Sequence, residues 1–265
     1  MLKSEIVIAD NLSQYMSSLM NEEIYGCLSG RYTVIGIRDD EQDYPIGLCV
    51  VEILPEYIRL HRVVVNVHKD KKTVLSMVLE ILESMIENSS LPVYTFAIKA
   101  NNYMKKMGFA EEKCDYTYKI GNLSDMKNFS MSKKPDMSIF EAEAVPKEEL
   151  IPYIYHMSAD GIVQFPYSDF DMSIFSSSLV CKTRNVITGL VLIEECDLYI
   201  KIPKIYFKNL ESLDACFFVL RKMLINDYSS NKQIIFINSP RDRRDIPDRY
   251  FKKIKEVPLK LFKLV

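Results

Sequence analysis

The sequence predicts a mixed α/β (α+β) protein built from two tandem modules of the same design. The first observation is a repeat: IGLCVVEILPEYIRL, starting at Ile46, recurs as TGLVLIEECDLYIKI, starting at Thr188. The two copies match without a gap, so that Gly47 pairs with Gly189. The second observation is that the order of predicted strands and helices restarts with the repeat. Chance rarely produces both together, which indicates the duplication of a whole domain.

The first module is predicted from apolar periodicity. Helical spacing of apolar residues follows a short strand and predicts a helix over residues 12–20, and the same spacing predicts a longer one over 70–86. A short helix over residues 101–107 ends at Gly108, where a helix C-terminal cap is expected. The remaining segments read as strands, namely EIVIAD, YTVIGIR, IGLCVVEIL, YIRLHRVVVNV, VYTFAIK and CDYTYKI.

A polar segment separates the modules. Residues 121–136, GNLSDMKNFSMSKKPD, are interrupted by Gly and Pro and predict a linker. The predicted domains are therefore residues 1–120 and 137–265. In the second domain, helices are predicted over 148–157, 210–227 and 248–255, and strands over MSIFEAEAV, SLVCKTR, TGLVLIEE, DLYIKIPKIYF, KQIIFIN and VPLKLFKLV.

Composition excludes several classes of function. Lys and Arg number 34 against 36 Asp and Glu, so the chain has no basic field for nucleic acid. No apolar run is long enough to span a membrane, and no signal peptide is visible. Six scattered cysteines without a Cys-x-x-Cys motif predict reduced thiols in a cytoplasmic protein. The three histidines are not clustered, so no metal site is expected.

The layout of the first module resembles that of the GNAT superfamily of acyl-CoA N-acyltransferases. The resemblance is carried by IGLCVVEI, by VVVNVHKDKKTVLSMVLEIL and by NYMKKMGF. In the second module, TGLVLIEE and RYFKKIKE are similar to the first and last of these segments. The resemblance covers nearly the whole chain. It implies two tandem GNAT-like modules, each a mixed, mostly antiparallel sheet flanked by helices.

The resemblance also implies a cofactor site for acyl-CoA where two parallel strands splay apart. The pantetheine arm would pair with the backbone of the long strand, at Val65 and Val67. The pyrophosphate would bind at the N-terminus of the next helix, where free N–H groups and the helix dipole favour an anion. The residues expected at that helix end are Lys71, Lys72, Thr73, Val74, Leu75 and Ser76.

The cofactor loop departs from the pattern of the family, Arg/Gln-x-x-Gly-x-Gly/Ala. Lys71 stands at the basic position, Val74 at the first glycine and Ser76 at the second small residue. Because a branched side chain crowds the approach of a phosphate, Val74 predicts weak binding. The second module gives no convincing placement, and Glu211 and Asp214 add negative charge near its helix. We therefore expect the cofactor in the first module.

Two residues are candidates for catalysis, Tyr103 and Glu52. The resemblance implies a tyrosine that protonates the leaving CoA thiolate, but the expected position holds Met104 and Tyr103 stands one residue earlier. One helical step turns a side chain by about 100°. Glu52, which recurs as Glu194, is either a general base for an amine or an outward residue of a half-buried strand. His61 is interpreted as a surface or packed histidine.

The resulting expectation is transfer of an acetyl group from acetyl-CoA to the amine of a small molecule or peptide. Strand amides would polarise the thioester carbonyl. The second module would shape the acceptor side or act as a structural lid. The alternative is a ligand-binding or interaction scaffold that keeps the fold without the chemistry.

Overall fold

The computed structural model describes residues 2–40, 44–66, 71–97, 102–114, 116–128, 136–158, 177–227, 232–238 and 246–265. The chain divides into two compact units. Unit 1 comprises Met1–Cys114 and Leu259–Val265, and unit 2 comprises Asp115–Pro258. Strands and helices are numbered below along the chain.

Unit 1 is built on a seven-stranded sheet in the order β1-β2-β3-β4-β5-β16-β6. All neighbours are antiparallel except β4 and β5, which are parallel. The strands are β1 (Leu2–Ile6), β2 (Thr33–Asp39), β3 (Pro45–Ile53), β4 (Ile58–Val65), β5 (Val93–Ala97), β6 (Phe109–Glu112) and β16 (Lys260–Leu264). The helices are α1 (Asn21–Leu28), α2 (Lys71–Ser89) and α3 (Asn102–Lys106).

The sheet of unit 1 has an apolar core on each face. Alternate residues of a strand point to opposite faces, so Cys49 and Val51 of β3 face one core while Leu48 and Val50 face the other. Helix α2 covers the first face and buries its apolar stripe there, with Val74, Val78 and Leu82 inaccessible to solvent. Residues from α1 and the chain before it cover the second face.

Unit 2 contains two sheets, in the orders β13-β10-β9-β8 and β11-β12-β14-β7-β15. The strands are β7 (Thr117–Asn122), β8 (Met137–Glu141), β9 (Leu179–Thr183), β10 (Val186–Val191), β11 (Glu194–Glu195), β12 (Tyr199–Ile202), β13 (Ile205–Phe207), β14 (Gln233–Asn238) and β15 (Lys255–Pro258). The helices are α4 (Lys147–Ser158), α5 (Leu210–Asp227) and α6 (Ile246–Tyr250). As in unit 1, one pair is parallel, here β12 with β14.

The compact units differ from the predicted domains because the last strand of each domain belongs to the other unit. Strand β7 lies between β14 and β15 of unit 2, whereas β16 lies between β5 and β6 of unit 1. The predicted linker also begins too early, since Gly121 and Asn122 are part of β7 and Leu123–Asp125 form a short 3-10 turn. Residues 129–135 of the predicted linker lie outside the described residues.

Several local predictions were wrong for identifiable reasons. The segment predicted as one helix over 12–20 forms two short 3-10 turns, and the α-helix begins only at Asn21. Serines in that segment compete for backbone hydrogen bonds and weaken a regular helix. The strand predicted over DLYIKIPKIYF breaks at Pro203, which cannot donate to a ladder, so that β12 and β13 join different sheets. The helix predicted over 248–255 ends at Tyr250.

The sequence repeat corresponds to equivalent positions in the two units. Glu52 pairs across β3 and β4 with Arg59, and Glu194 pairs across β11 and β12 with Lys201. The two basic partners, Arg59 and Lys201, are related by the same repeat. The described parts of the chain contain no helix that is both long and apolar enough to cross a membrane.

Candidate functional site

A gap opens in the sheet of unit 1 where its two parallel strands separate. Strands β4 and β5 pair only over Ile58–Leu60 and Val93–Thr95. Among the residues that the structure describes, β4 then continues to Val65 without further pairing to β5. Its backbone groups on that side are therefore available to a ligand that lies in the gap.

A cavity of about 340 Å³ occupies this gap. The described part of its wall is mostly apolar and includes four polar or charged residues, His61, Arg62, Lys71 and Thr95. An apolar cleft with a few placed polar groups is typical of a small-molecule site. The described lining residues are Leu60, His61, Arg62, Val63, Val65, Lys71, Leu75, Thr95, Met104, Met107 and Phe109.

The first turn of α2 forms one end of the cavity wall. Lys71 and Leu75 line the cavity, whereas Lys72, Thr73 and Ser76 are exposed. This first turn contains no acidic residue, so its amides and dipole are compatible with an anion. The structure thus brings together most of the predicted cofactor residues. Val67 lies outside the described residues.

The side chain of Val74 does not crowd this helix end. Val74 is fully buried and packs against Gly47 of β3, on the sheet side of α2. A Cβ atom placed on Gly47 would lie only 2.6 Å from Val74 Cγ1. The steric objection raised from the sequence was therefore wrong, because the branched side chain points into the core.

A β-bulge in β4 lies beside the cavity. The register with β3 shifts so that Val50 pairs with Arg62 and Val51 with Leu60, which leaves His61 as the extra residue. Consecutive strand residues normally point to opposite faces. Across this bulge, however, His61 and Arg62 both engage groups on the α1 side of the sheet.

Glu52 lies behind His61 and is not part of the cavity wall. It is 4% exposed. His61 Nε2 lies 2.8 Å from Glu52 Oε2, and Arg31 Nε donates to Glu52 Oε1 at 3.0 Å. Both carboxylate oxygens are therefore engaged, which leaves Glu52 poorly placed to take a proton directly from an acceptor. Glu52 could therefore act on an acceptor amine only indirectly, through its hydrogen bond with His61.

The charge states of this pair follow from its surroundings. Burial would raise the pKa of Glu52, but the hydrogen bond from His61 and the charge of Arg31 outweigh it and hold the pKa well below its usual range. Burial, followed by the charge of Arg59, lowers the pKa of His61 to about 4, against the opposing effect of Glu52. At neutral pH the site therefore contains a glutamate anion, paired with Arg31, and an uncharged imidazole.

Arg62, the second residue of the bulge, is paired in the same way. Its Nε donates to Glu23 Oε1 of α1 at 2.7 Å, and its terminal nitrogen donates to the carbonyl of Ser18 at 2.7 Å. Glu23 is 6% exposed. This ion pair fixes α1 and the preceding turn to β4, and it neutralises the charge of Arg62.

Helix α3 presents Met104 to the cavity. Met104 occupies the position where the family resemblance implies a tyrosine, and it lines the cavity. Tyr103 is part of α3, but its side chain lies outside the described residues. His61 and its two supporting groups, Glu52 and Arg31, were missed as a unit, and the only sequence signal was that Glu52 recurs in the repeat.

In unit 2 the corresponding helix end is closed by its own residues. Asn209 Oδ1 accepts the backbone N–H of Ser212 at 2.9 Å and its hydroxyl at 3.0 Å, which caps α5. The hydroxyl of Ser212 also lies 2.8 Å from that of Thr188. Glu211 adds an acidic side chain to the first turn. These groups occupy the place where a phosphate would bind.

Unit 2 also lacks the imidazole of the bulge. The match that relates Gly47 to Gly189 places Pro203 where unit 1 has His61. Proline provides neither an imidazole nor a backbone N–H. The strand breaks at this position, between β12 and β13.

The two helices that would flank a cleft in unit 2 are joined to each other. Asp214 of α5 accepts a hydrogen bond from the hydroxyl of Tyr250 at 2.7 Å and two from Arg249, at 2.8 and 2.7 Å. The ring of Tyr250 is 1% exposed and stacks on Phe217, with the centroids 3.8 Å apart. Asp214 is the fifth residue of α5. The fifth residue of α2 in unit 1 is Leu75, which lines the cavity.

Comparison with solved structures identifies the fold. A tandem GNAT protein from the clavulanic acid biosynthesis pathway has a TM-score of 0.65 at 9% identity, over 100% of this chain and 99% of that one. A probable N-acyltransferase from Enterococcus faecalis V583 has a TM-score of 0.59 at 10% identity, over 98% and 72%. A GCN5-related N-acetyltransferase from Sphaerobacter thermophilus has a TM-score of 0.57 at 10% identity, over 99% and 96%. No family profile and no curated protein matches the sequence.

The chain therefore has the fold of the GNAT superfamily, in two tandem modules, as the sequence predicted. Sequence identities at this level show the fold alone, so the activity has to be argued from the cavity of unit 1.

Proposed function

We propose that this chain is an acyl-CoA-dependent N-acyltransferase that transfers an acetyl group to an amine, with its cofactor site in unit 1. The observation that carries the proposal is the cavity between the separated strands β4 and β5, which reaches the first turn of α2. The contrast with unit 2 supports placing the site in unit 1, because in unit 2 the start of α5 and the space between α5 and α6 are filled by side chains of the chain itself.

The residues of unit 1 fit a CoA thioester. Backbone amides from Thr73 to Ser76, with Lys71 and Lys72, would hold the phosphates. Val74 turns its side chain toward Gly47 and leaves that helix end open.

The arm of the cofactor would lie in the gap of the sheet. The backbone of β4 near Val63 and Val65, which β5 does not pair with on this side, would hydrogen-bond to the amides of the arm. Leu75, Met104 and Phe109 would cover its apolar parts.

Bound acyl-CoA supplies an activated carbonyl and a thiolate leaving group. Backbone N–H groups of β4 beside the bulge would polarise that carbonyl, which stabilises the charge that develops during attack. Tyr103 remains our candidate for protonating the leaving thiolate. Glu52 would act indirectly, by orienting His61.

The test is titration calorimetry with acetyl-CoA on the whole chain. We expect the wild type to bind and Leu75→Trp, which fills the cavity, to raise Kd by at least about tenfold. Asp214→Ala changes the corresponding position of α5 and should leave Kd unchanged. Absence of binding by the wild type would contradict the proposal and favour a scaffold without chemistry. A loss of affinity in Asp214→Ala but not in Leu75→Trp would place the cofactor in unit 2.

A further inference from the structure

The cavity of unit 1 has no carboxylate among the described residues that line it. Its charged lining residues are Arg62 and Lys71, and His61 is uncharged at neutral pH. An alkylammonium ion taken out of water is costly to bury without a nearby counter-charge. With the arm of the cofactor in this cavity, the acceptor would reach the thioester at the end beside the bulge, where the described lining residues are His61 and Arg62 and provide no carboxylate.

The two carboxylates on the α1 side of the bulge are already neutralised. Glu52 is held by Arg31 and His61 at 3.0 and 2.8 Å, and Glu23 is held by Arg62 at 2.7 Å. Within the described parts of the chain, the charged groups that act on His61 are Glu52 of β3, Arg59 of β4 and Arg31. Their sum is positive, which disfavours a cation beside the imidazole.

The tautomer of His61 follows from its partner. An anionic carboxylate can only accept, so Nε2 of the neutral ring carries the proton and donates it to Glu52. The other nitrogen, Nδ1, is then an acceptor and has no partner among the described residues. The ring of Tyr32 lies against the imidazole, with the centroids 4.7 Å apart, and helps to fix its orientation.

We propose, on the basis of the function proposed above, that the acceptor is a weakly basic amine of the arylamine type, which reaches the site uncharged, and that His61 Nδ1 accepts a hydrogen bond from its N–H. An aryl amine is neutral at neutral pH, so it needs neither a counter-charge nor a strong base. An alkyl amine is an ammonium ion under the same conditions and has to lose a proton before it can attack.

The transfer step balances with these groups. The nitrogen lone pair of the amine attacks the thioester carbonyl, a C–N bond forms, and the C–S bond breaks with its electron pair leaving on the CoA thiolate. The nitrogen loses one proton, which His61 Nδ1 accepts. The imidazolium, stabilised by Glu52, passes that proton to solvent, and the thiolate takes a proton from Tyr103, the candidate acid, which regains it from solvent.

The first test monitors His61 directly by nitrogen NMR. Replacing His68 and His156 by Asn leaves His61 as the only histidine of the chain, so its ring signals need no further assignment. In the presence of CoA, aniline should shift the Nδ1 resonance in a saturable way, whereas benzylamine at the same concentration should not. A larger shift with benzylamine, or no shift with aniline, would overturn the inference.

The second test measures turnover of acetyl-CoA by release of the CoA thiol. At neutral pH we expect aniline to react at least about tenfold faster than benzylamine, and the benzylamine rate to rise about tenfold per pH unit as its neutral fraction grows. Equal or faster reaction of benzylamine at neutral pH would refute the proposed acceptor class.

Acetyl-CoA affinity from calorimetry separates the two proposals. Binding without the aniline effects rejects the acceptor class alone, while no acetyl-CoA binding rejects the acyltransferase itself. His61→Gln should reduce the aniline rate at least about tenfold, with a much smaller change in the Kd for acetyl-CoA. A parallel loss of both, or a loss of neither, would contradict the role of His61.

Discussion

Gly47 of β3 and Val74 of α2 pack so closely that the methyl groups of the valine occupy the space that a Cβ on the glycine would need. A Cβ on Gly47 would approach Val74 Cγ1 to 2.6 Å and the carbonyl oxygen of Val64 to 2.7 Å. Val74, which stands where the family resemblance implies a glycine, thus turns its branched side chain into the core. The helix end can remain open although its glycine is missing.

Gly47→Ala should destabilise the protein. The added methyl group must displace Val74 or the backbone of β4, and overpacking of this kind costs about 1–3 kcal/mol. Urea unfolding measures the change. The repeat offers a matched control, since a Cβ on Gly189 would meet its nearest atoms at 3.3 Å, so Gly189→Ala should cost less. An equal or larger cost at Gly189 would contradict the packing argument.

The double variant Gly47→Ala/Val74→Ala should be less unstable than the sum of the two single variants. Val74→Ala alone should cost about 2 kcal/mol for lost burial, but it also removes one of the two clashes. The carbonyl of Val64 remains, so relief should be partial. Val74→Gly should likewise destabilise the chain and not tighten binding of CoA. Tighter binding of CoA by Val74→Gly would mean that the branched side chain of Val74 does crowd the phosphate.

Lys71→Glu should weaken binding of acetyl-CoA by about tenfold or more. The lysine lines the cavity at the start of α2, and reversal of its charge opposes a phosphate directly. Lys208→Glu, which changes a residue shortly before the capped helix α5, is the control. The effect should shrink at high salt, because exposed charges are screened. Equal effects of the two substitutions would argue against a phosphate site at α2.

His61 should make folding stability depend on pH between about 4 and 6.5. The folded pKa is lowered to about 4 from 6.5, so in this window the unfolded chain binds a proton that the folded chain does not. Acidification through the window should therefore destabilise the wild type. The lowered pKa of Glu52 acts in the same direction at still lower pH.

His61→Gln isolates this effect, because glutamine can keep a hydrogen bond to Glu52 but does not titrate. Urea unfolding at several pH values should show a shallower loss of stability in the variant between pH 6.5 and 4. Identical slopes for the wild type and the variant would mean that His61 titrates normally in the folded protein.

Tyr250→Phe should destabilise unit 2 by about 1 kcal/mol through loss of one hydrogen bond, since the stacking on Phe217 is retained. Asp214→Ala should cost more, because it leaves the hydroxyl of the buried Tyr250 without its acceptor. Thermal unfolding measures both changes, and neither should alter the affinity for acetyl-CoA. Tighter acetyl-CoA binding in either variant would show that unit 2 holds a latent cofactor site.

Removal of residues 259–265 should destabilise unit 1, although these residues are far away in sequence. Phe262 and Leu264 of β16 are 1% and 6% exposed and belong to the core beneath α2. Loss of two such side chains costs several kcal/mol, which a urea titration would detect. Removal of Val265 alone, which is 91% exposed, is the control. A stable unit 1 without β16 would contradict the observed strand pairing.

Local sequence patterns predicted most of the helices and strands, but they did not predict which strands pair with each other. Helix α2 and strand β3 were predicted within a few residues because apolar periodicity is a local property. The exchange of β7 and β16 could not be predicted, since VPLKLFKLV has the same alternation whichever sheet it joins. A strand pattern fixes which side chains face a core, and it does not say which core.

The candidate site was predicted in outline only. The start of α2 near Lys71 was predicted from apolar periodicity, which is a local property, whereas its role in binding phosphate stays a prediction. The role of His61 depends on a bulge in β4, and a bulge arises from the pairing of two strands and leaves no mark on either alone. Val74 was misjudged for the same reason, because its partner Gly47 lies on a different element.

The position of β16 sets an order of events during synthesis. Strands β5 and β6 are made early, but the strand between them is made only after all of unit 2, so every residue between Ala97 and Lys260 must be polymerised before the sheet of unit 1 can close. Until then, two strand edges and the apolar pocket that receives Phe262 stay open to solvent and to chaperones. Neither predicted domain is self-sufficient, because a gene cut at the predicted linker would leave the first domain without β16 and the second without β7. The two copies of the module therefore have to be made as one chain for either sheet to be complete.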